Sequence, residues 1–164
     1  QFERQPAFIA LPLAPEQLTA AFRELQAYEA WQTHGDFITR AEPKVGPGVK
    51  ERFEAASRID RSTFDMARGT RANFIQDFAA LFDDDMVLIM PTQPTAAPMK
   101  SATAAELDSY RSLTAPLSAL AGMLGWPQIT IPLGRVHEAP FGISLLAPAG
   151  SDRQLIRLAA AILA

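Results

Sequence analysis

A protein that does chemistry through its side chains needs a nucleophile, a base or a ligand set, and this chain of 164 residues is poor in all three. It contains no cysteine, which removes a thiolate nucleophile, a thiolate metal site and a disulfide framework together. The two imidazoles, His34 and His137, have no carboxylate or second histidine at ligand spacing. His34 is read at a helix end and His137 in an exposed turn, both solvated. Asp83-Asp84-Asp85 lacks the alternating oxygen ligands and glycine of a calcium loop and reads as a turn. No Gly-x-Ser-x-Gly elbow and no Ser-x-x-Lys pattern accompanies the serines. Gly46-Pro47-Gly48 is a break before a helix, since a phosphate loop needs spaced glycines and a terminal Lys-Ser/Thr. Arg58, Arg61, Arg68 and Arg71 fall at intervals of three, seven and three. They could form a basic helix face for an anion, but Glu54, Asp60 and Asp65 interleave them, and a surface ion-pair lattice is the simpler reading.

Composition sets the broad class. At 48% hydrophobic and 20% charged residues the chain is globular, and its length suffices for one domain with a real core. A net charge of -3 and a pI near 5.4 offer no general attraction to nucleic acid. The longest apolar stretches, Met86 to Met90 and Leu158 to Ala164, are too short to cross a bilayer. The expectation is a cytoplasmic protein with no membrane or nucleic-acid partner, no cofactor and no metal. Gln1 carries neither an initiator methionine nor a signal pattern, and the chain stops within an apolar helical stretch. Both ends are therefore expected to be cut from a longer polypeptide.

The elements that must position any site follow from periodicity. Leu18, Phe22, Leu25 and Trp31 recur at near-helical spacing after Pro15, predicting a helix from about Pro15 to Thr33 closed by Gly35. A longer helical stretch after Gly48 is expected to break near Asp60-Arg61-Ser62 or at Gly69. Met86-Val87-Leu88-Ile89-Met90 is apolar throughout, the habit of a central strand buried on both faces. Gln128 to Leu133 and Phe141 to Ala147 read as an antiparallel pair joined by the turn Gly134 to Pro140. Gly150-Ser151-Asp152 opens a terminal helix. Three strands cannot satisfy their faces and edges alone, so the sheet is expected to continue in other polypeptide.

Two segments keep a functional reading. Met90-Pro91-Thr92-Gln93-Pro94-Thr95-Ala96-Ala97-Pro98 follows the carboxyl end of a strand, where open α/β sheets bind ligands, and its prolines preset its path. It reads equally as a pocket wall or as a structural loop. Leu117-Ser118-Ala119-Leu120-Ala121-Gly122-Met123-Leu124-Gly125-Trp126 either lines an apolar acyl pocket or packs as core, with core packing the simpler explanation.

Together these segments resemble the C-terminal part of the amidase signature family. The family's Pro-Thr-x-Pro strand end matches Pro91-Thr92-Gln93-Pro94. Its Gly-x-Pro strand matches Gly125-Trp126-Pro127-Gln128-Ile129-Thr130-Ile131-Pro132. Pro140-Phe141-Gly142-Ile143 and Gly150-Ser151-Asp152 match its later strand and helix start, and Gly46-Pro47-Gly48-Val49-Lys50-Glu51-Arg52 its entry to a long helix. The strand Ile143-Ser144-Leu145-Leu146-Ala147 is closest to the branch that includes indole-3-acetamide hydrolases. The resemblance implies hydrolysis by a serine nucleophile, a bridging serine and a neutral lysine base. None of these lies in this chain, so no catalytic residue can be carried over. Ser118 stands where many members have Thr, Gly122 where they commonly have Asn, and Ala115 where the tRNA-dependent amidotransferase branch often has an acidic residue.

The resulting expectation is an α/β chain over 1–164, the C-terminal part of a layered α/β/α amidase domain whose mixed sheet is completed by a missing N-terminal half. It would wall an acyl pocket for a small-molecule amide through Thr92, Ser118 and Trp126. A non-catalytic amidase-like scaffold and a tRNA-dependent amidotransferase subunit are the alternatives, and association into a homodimer is left open.

Overall fold

The computed structural model describes residues 7–46, 48–83 and 86–164. The elements run α1 (Pro15–Ala41), α2 (Val49–Ala56), α3 (Arg61–Ala79), β1 (Leu88–Pro91), α4 (Ala104–Leu124), β2 (Gln128–Val136), β3 (Ala139–Leu146) and α5 (Asp152–Leu163).

Pro15 occupies the first turn of α1, where its missing N–H would have no helical partner. The helix does not stop at Gly35 but continues to Ala41, and Glu42 in the left-handed conformation (φ 40°) caps it. Gly35 serves packing instead: a Cβ at this position would lie 2.8 Å from Cε2 of the Trp31 indole. Consequently His34 lies within α1 rather than at its end, exposed and edge-on to Phe53. Of the two breaks considered in the next helical stretch, the Asp60 one is used. Asp60 accepts a hydrogen bond from the Thr63 backbone N–H at 2.8 Å, satisfying one of the unpaired donors at the start of α3. Gly69 lies inside α3. In the Asp83 turn, Asp84 and Asp85 fall outside the described residues.

The sheet has the order β1-β3-β2, and both pairings are antiparallel. β3 is thus the central strand among the described residues, and β1 is an edge. The segment Met86–Met90 is not buried on both faces: Ile89 is 51% exposed, while Met90 is buried. Alternation explains the difference. Leu88 and Met90 turn toward one helical layer, whereas Ile89 shares the other face with its cross-strand partner Leu145. The β2–β3 turn is shorter than the seven residues expected. His137 and Glu138 alone reverse the chain, at φ 47° and 64°, the two left-handed residues whose twist suits a tight hairpin. An extra residue on β2 between Ile131 and Gly134 makes a bulge at Pro132, which cannot donate to the ladder.

Helix α4 begins with a capping box. Thr103 accepts from the Glu106 N–H, and the Glu106 carboxylate accepts from the Thr103 N–H at 2.7 Å. It ends at Gly125 (φ 68°). The pattern Thr-x-x-Glu signals this start in the sequence.

The sheet separates two cores. On one face Leu18, Phe74, Phe78, Leu120 and Met123 from α1, α3 and α4 pack with Met90 and Leu146. On the other, Leu155 and Ala159 of α5 pack with Ile131 and Leu145. Each fully buried large side chain such as Phe78 or Leu18 contributes about 1.5–3 kcal/mol relative to exposure. The result is a helix, sheet, helix sandwich in which β1 and β2 have no outer strand neighbour among the described residues. No helix among them is long and apolar enough to cross a membrane.

Candidate functional site

The polar side chains of the sheet converge at the carboxyl end of β1. Ser144, on the central strand, is fully buried. Its Oγ accepts from the Gln128 Nε2 at 2.8 Å and lies 2.8 Å from the Thr92 hydroxyl and 3.1 Å from the Thr130 hydroxyl. A serine hydroxyl has one proton and two lone pairs, so these three partners use its full capacity. Ser144 is therefore a structural hub with no lone pair or proton left for a substrate. Cross-strand register produces the cluster: Thr130 and Met90 are both opposite Ser144, and Thr92 follows β1. Gly142 leaves the necessary room. A Cβ there would lie 2.9 Å from Thr130 Cγ2 and 3.0 Å from Thr92 Oγ1. The Thr92 N–H donates to the Gly142 carbonyl at 3.0 Å.

The next residue turns from sheet to helix. Gln93 Oε1 lies 3.0 Å from both the Tyr110 and the Thr114 hydroxyls of α4 and accepts from them. Thr92 and Gln93 are thus held from two sides, by β3 and by α4. Beyond them, Thr95, Ala96, Pro98, Met99, Tyr110 and Leu113 line an open groove of about 430 Å³.

The three residues singled out from sequence occupy different surroundings. Thr92 belongs to the Ser144 cluster. Ser118 is exposed on α4 and donates to the Thr114 carbonyl at 2.8 Å, one turn from the residue that meets Gln93. Trp126 is half-buried at the far end of α4, edge-on to Phe78 and Phe82 with centroids 5.4 and 5.1 Å apart. The structure links Thr92 and Ser118 through Gln93 and Thr114 and leaves Trp126 in the aromatic core. Gln93, Gln128, Thr130 and Ser144 lie within the segments that carry the family resemblance, whereas Tyr110 and Thr114 lie outside them. No spacing rule singles any of the six out as a site residue; on β2, Thr130 shows only as a hydroxyl between two isoleucines.

The arginine series divides. Arg61 and Arg68 both pair with Asp65, at 2.9 and 3.4 Å, the lattice expected for a helix surface. Arg71 does something else: its guanidinium donates to the Met123 and Gly122 carbonyls at 2.8 and 3.2 Å, closing the carboxyl end of α4. The shifted acids are exposed and structural. The Thr63 N–H and then the Ser62 hydroxyl hold the Asp60 carboxyl below its ordinary range. The hydrogen bond from Arg61 does the same for Asp65, and the Thr103 N–H and hydroxyl for Glu106. His137 is exposed in its turn. No group of three or more His, Cys, Asp or Glu side chains among the described residues is placed to hold a metal ion.

This arrangement can shape a pocket, but among the described residues it brings no base to a free nucleophile. The frame is helix, sheet, helix, with the proline-rich loop Pro91 to Pro98 leaving the end of β1. The chain belongs to the amidase family, whose model matches residues 12–156. It is 36% identical over 141 residues to Amidase 1 of Arabidopsis thaliana, covering 86% of this chain and 33% of that protein. It is 32% identical to Amidase 1 of Oryza sativa subsp. japonica, covering 90% of this chain and 35% of that one. A crystal structure of an amidase superposes with a TM-score of 0.75 at 21% identity, over 92% of this chain and 35% of the other. The chain therefore spans about a third of the length of these relatives.

Proposed function

We propose that these 164 residues are the C-terminal part of a single amidase domain that hydrolyses a carboxamide to a carboxylate and ammonia. The Ser-Ser-Lys relay lies in polypeptide outside them. The observation that carries this reading is the family match over residues 12–156, joined to a site in which the fully buried Ser144 hydroxyl is saturated by scaffold partners. In the proposed reaction the relay's serine attacks the amide carbonyl and ammonia leaves with the proton passed through the bridging serine. Water then releases the acyl group as carboxylate. A lysine can act as base there only if burial keeps it neutral.

The role proposed for this chain is to continue the central sheet through the open edges of β1 and β2 and to wall the acyl side of the pocket. Thr92 and Ser118 lie along that wall, and Trp126 supports it through Phe78 and Phe82. A wall without a free charge suits a neutral aryl- or alkyl-acyl amide, of which indole-3-acetamide is an example, over free glutamine. Ammonia release is the test. The complete protein is expected to release ammonia from indole-3-acetamide or a related amide, and the isolated chain to release none. Activity in the isolated chain would overturn this division of roles.

A further inference from the structure

The strongest unassigned feature is the junction of the proline loop with α4. Gln93 sits between two hydroxyls 3.0 Å away, those of Tyr110 and Thr114, and the Thr114 hydroxyl is also 2.8 Å from the Tyr110 carbonyl. A threonine has one proton to give. If it goes to that carbonyl, the Gln93 amide can turn and donate to Thr114 instead, so a glutamine serves the junction with either end. Thr92, one residue earlier, is fixed to Ser144 and to Gly142. The loop is thus anchored at its start from both sides, and its later residues, with Tyr110 and Leu113 of α4, line the groove.

The groove walls are mostly apolar, with the hydroxyls of Thr95 and Ser101 among the lining residues. Met99 and Leu113 are 76% and 62% exposed on its two sides, joined by Ala96, Pro98 and the ring of Tyr110. The one carboxylate in the lining, Glu106, is engaged by the Thr103 N–H and hydroxyl at 2.7 and 2.8 Å. The groove therefore offers no free cation clamp and suits an uncharged apolar group. Its volume of about 430 Å³ falls in the range of small-molecule sites, and it opens beside the carboxyl end of β1.

We infer that Gln93 is a positioning residue that sets the width of this groove, and that the groove selects the apolar acyl end of the amide. This inference rests on the amidase reading proposed above. The complete protein is to be assayed on a pair of amides, one aryl-acyl (indole-3-acetamide) and one small (acetamide). Gln93→Leu and Tyr110→Phe are each expected to lower the ratio of kcat/KM, aryl over small, about tenfold, the fall residing in KM, since one or two misplaced apolar contacts change discrimination by about that factor. The double variant is expected to lose no more than the larger single effect, because the two residues form one junction. Leu113→Arg, which places a charge in the groove without touching the junction, is expected to lower the same ratio. A wild-type protein that hydrolyses no amide overturns the function and this role with it. An active wild type whose variants keep the ratio overturns the groove role alone. A loss equal on both amides does the same, because it assigns the groove to packing against the rest of the protein.

Discussion

Gly142→Ala tests whether the Thr92 cluster is held by close packing at the centre of the sheet. The added Cβ would lie 2.9 Å from Thr130 Cγ2, 3.0 Å from Thr92 Oγ1 and 3.4 Å from Thr92 Cβ, against about 3.5–4.0 Å for unstrained carbon contacts. Both neighbours are short and β-branched, so neither can swing a distant atom aside. Relief requires Thr92 to rotate and surrender its bond to Ser144, at about 1 kcal/mol, or β1 and β2 to move from β3. Overpacking of this kind costs about 1–3 kcal/mol. Replacing glycine within a strand returns about 0.5–1 kcal/mol of backbone entropy. The net expectation is a loss of about 1–2 kcal/mol, read as a lower urea midpoint at unchanged m-value in the complete protein. Thr92→Ala removes the pinched Oγ1, so the double variant is expected to be about 1 kcal/mol more stable than the sum of the single effects. A Gly142→Ala protein as stable as wild type, or strict additivity in the double variant, would refute the close-packing account.

Two further outcomes follow from the helix ends. Arg71→Met keeps most of the side chain's apolar stem but removes two charge-assisted hydrogen bonds to the end of α4. A loss of about 2 kcal/mol is expected in urea titration, and an unchanged midpoint would deny the capping role. The carboxyls of Asp60, Asp65 and Glu106 all titrate below their ordinary range in the folded chain, so the folded state binds fewer protons than the unfolded state. Their contribution is complete above the ordinary carboxylate range and declines as pH falls through that range toward the lowered values. All three are exposed, so the effect is modest and weakens with salt. Asp60→Asn, which can still cap α3, is expected to flatten the decline in urea midpoint between pH 7 and pH 3. An identical pH profile would remove Asp60 from the linkage.

Elements with local signals were legible in the amino-acid order. Pro15 and the spacing of Leu18, Phe22 and Leu25 mark α1, Asp60 marks the break before α3, and their short connection marks β2 and β3 as an antiparallel pair. The ordered Pro-Thr-x-Pro and Gly-x-Pro segments carried the family resemblance, and cysteine and histidine usage excluded most reactive chemistry. The rest was set by packing, in most cases against neighbours far along the chain. Gly35 lies inside α1, buried where a Cβ would meet the Trp31 indole one turn earlier, and composition alone does not separate that use of glycine from a stop. Apolar Met86 to Met90 reads as doubly buried, yet Ile89 is half exposed because α5 packs on β2 and β3. The Ser144 hub and the Gln93 junction join residues 14 to 52 positions apart. Hydrogen bonds of that separation are set by strand register and helix placement, which exist only once the layers have packed.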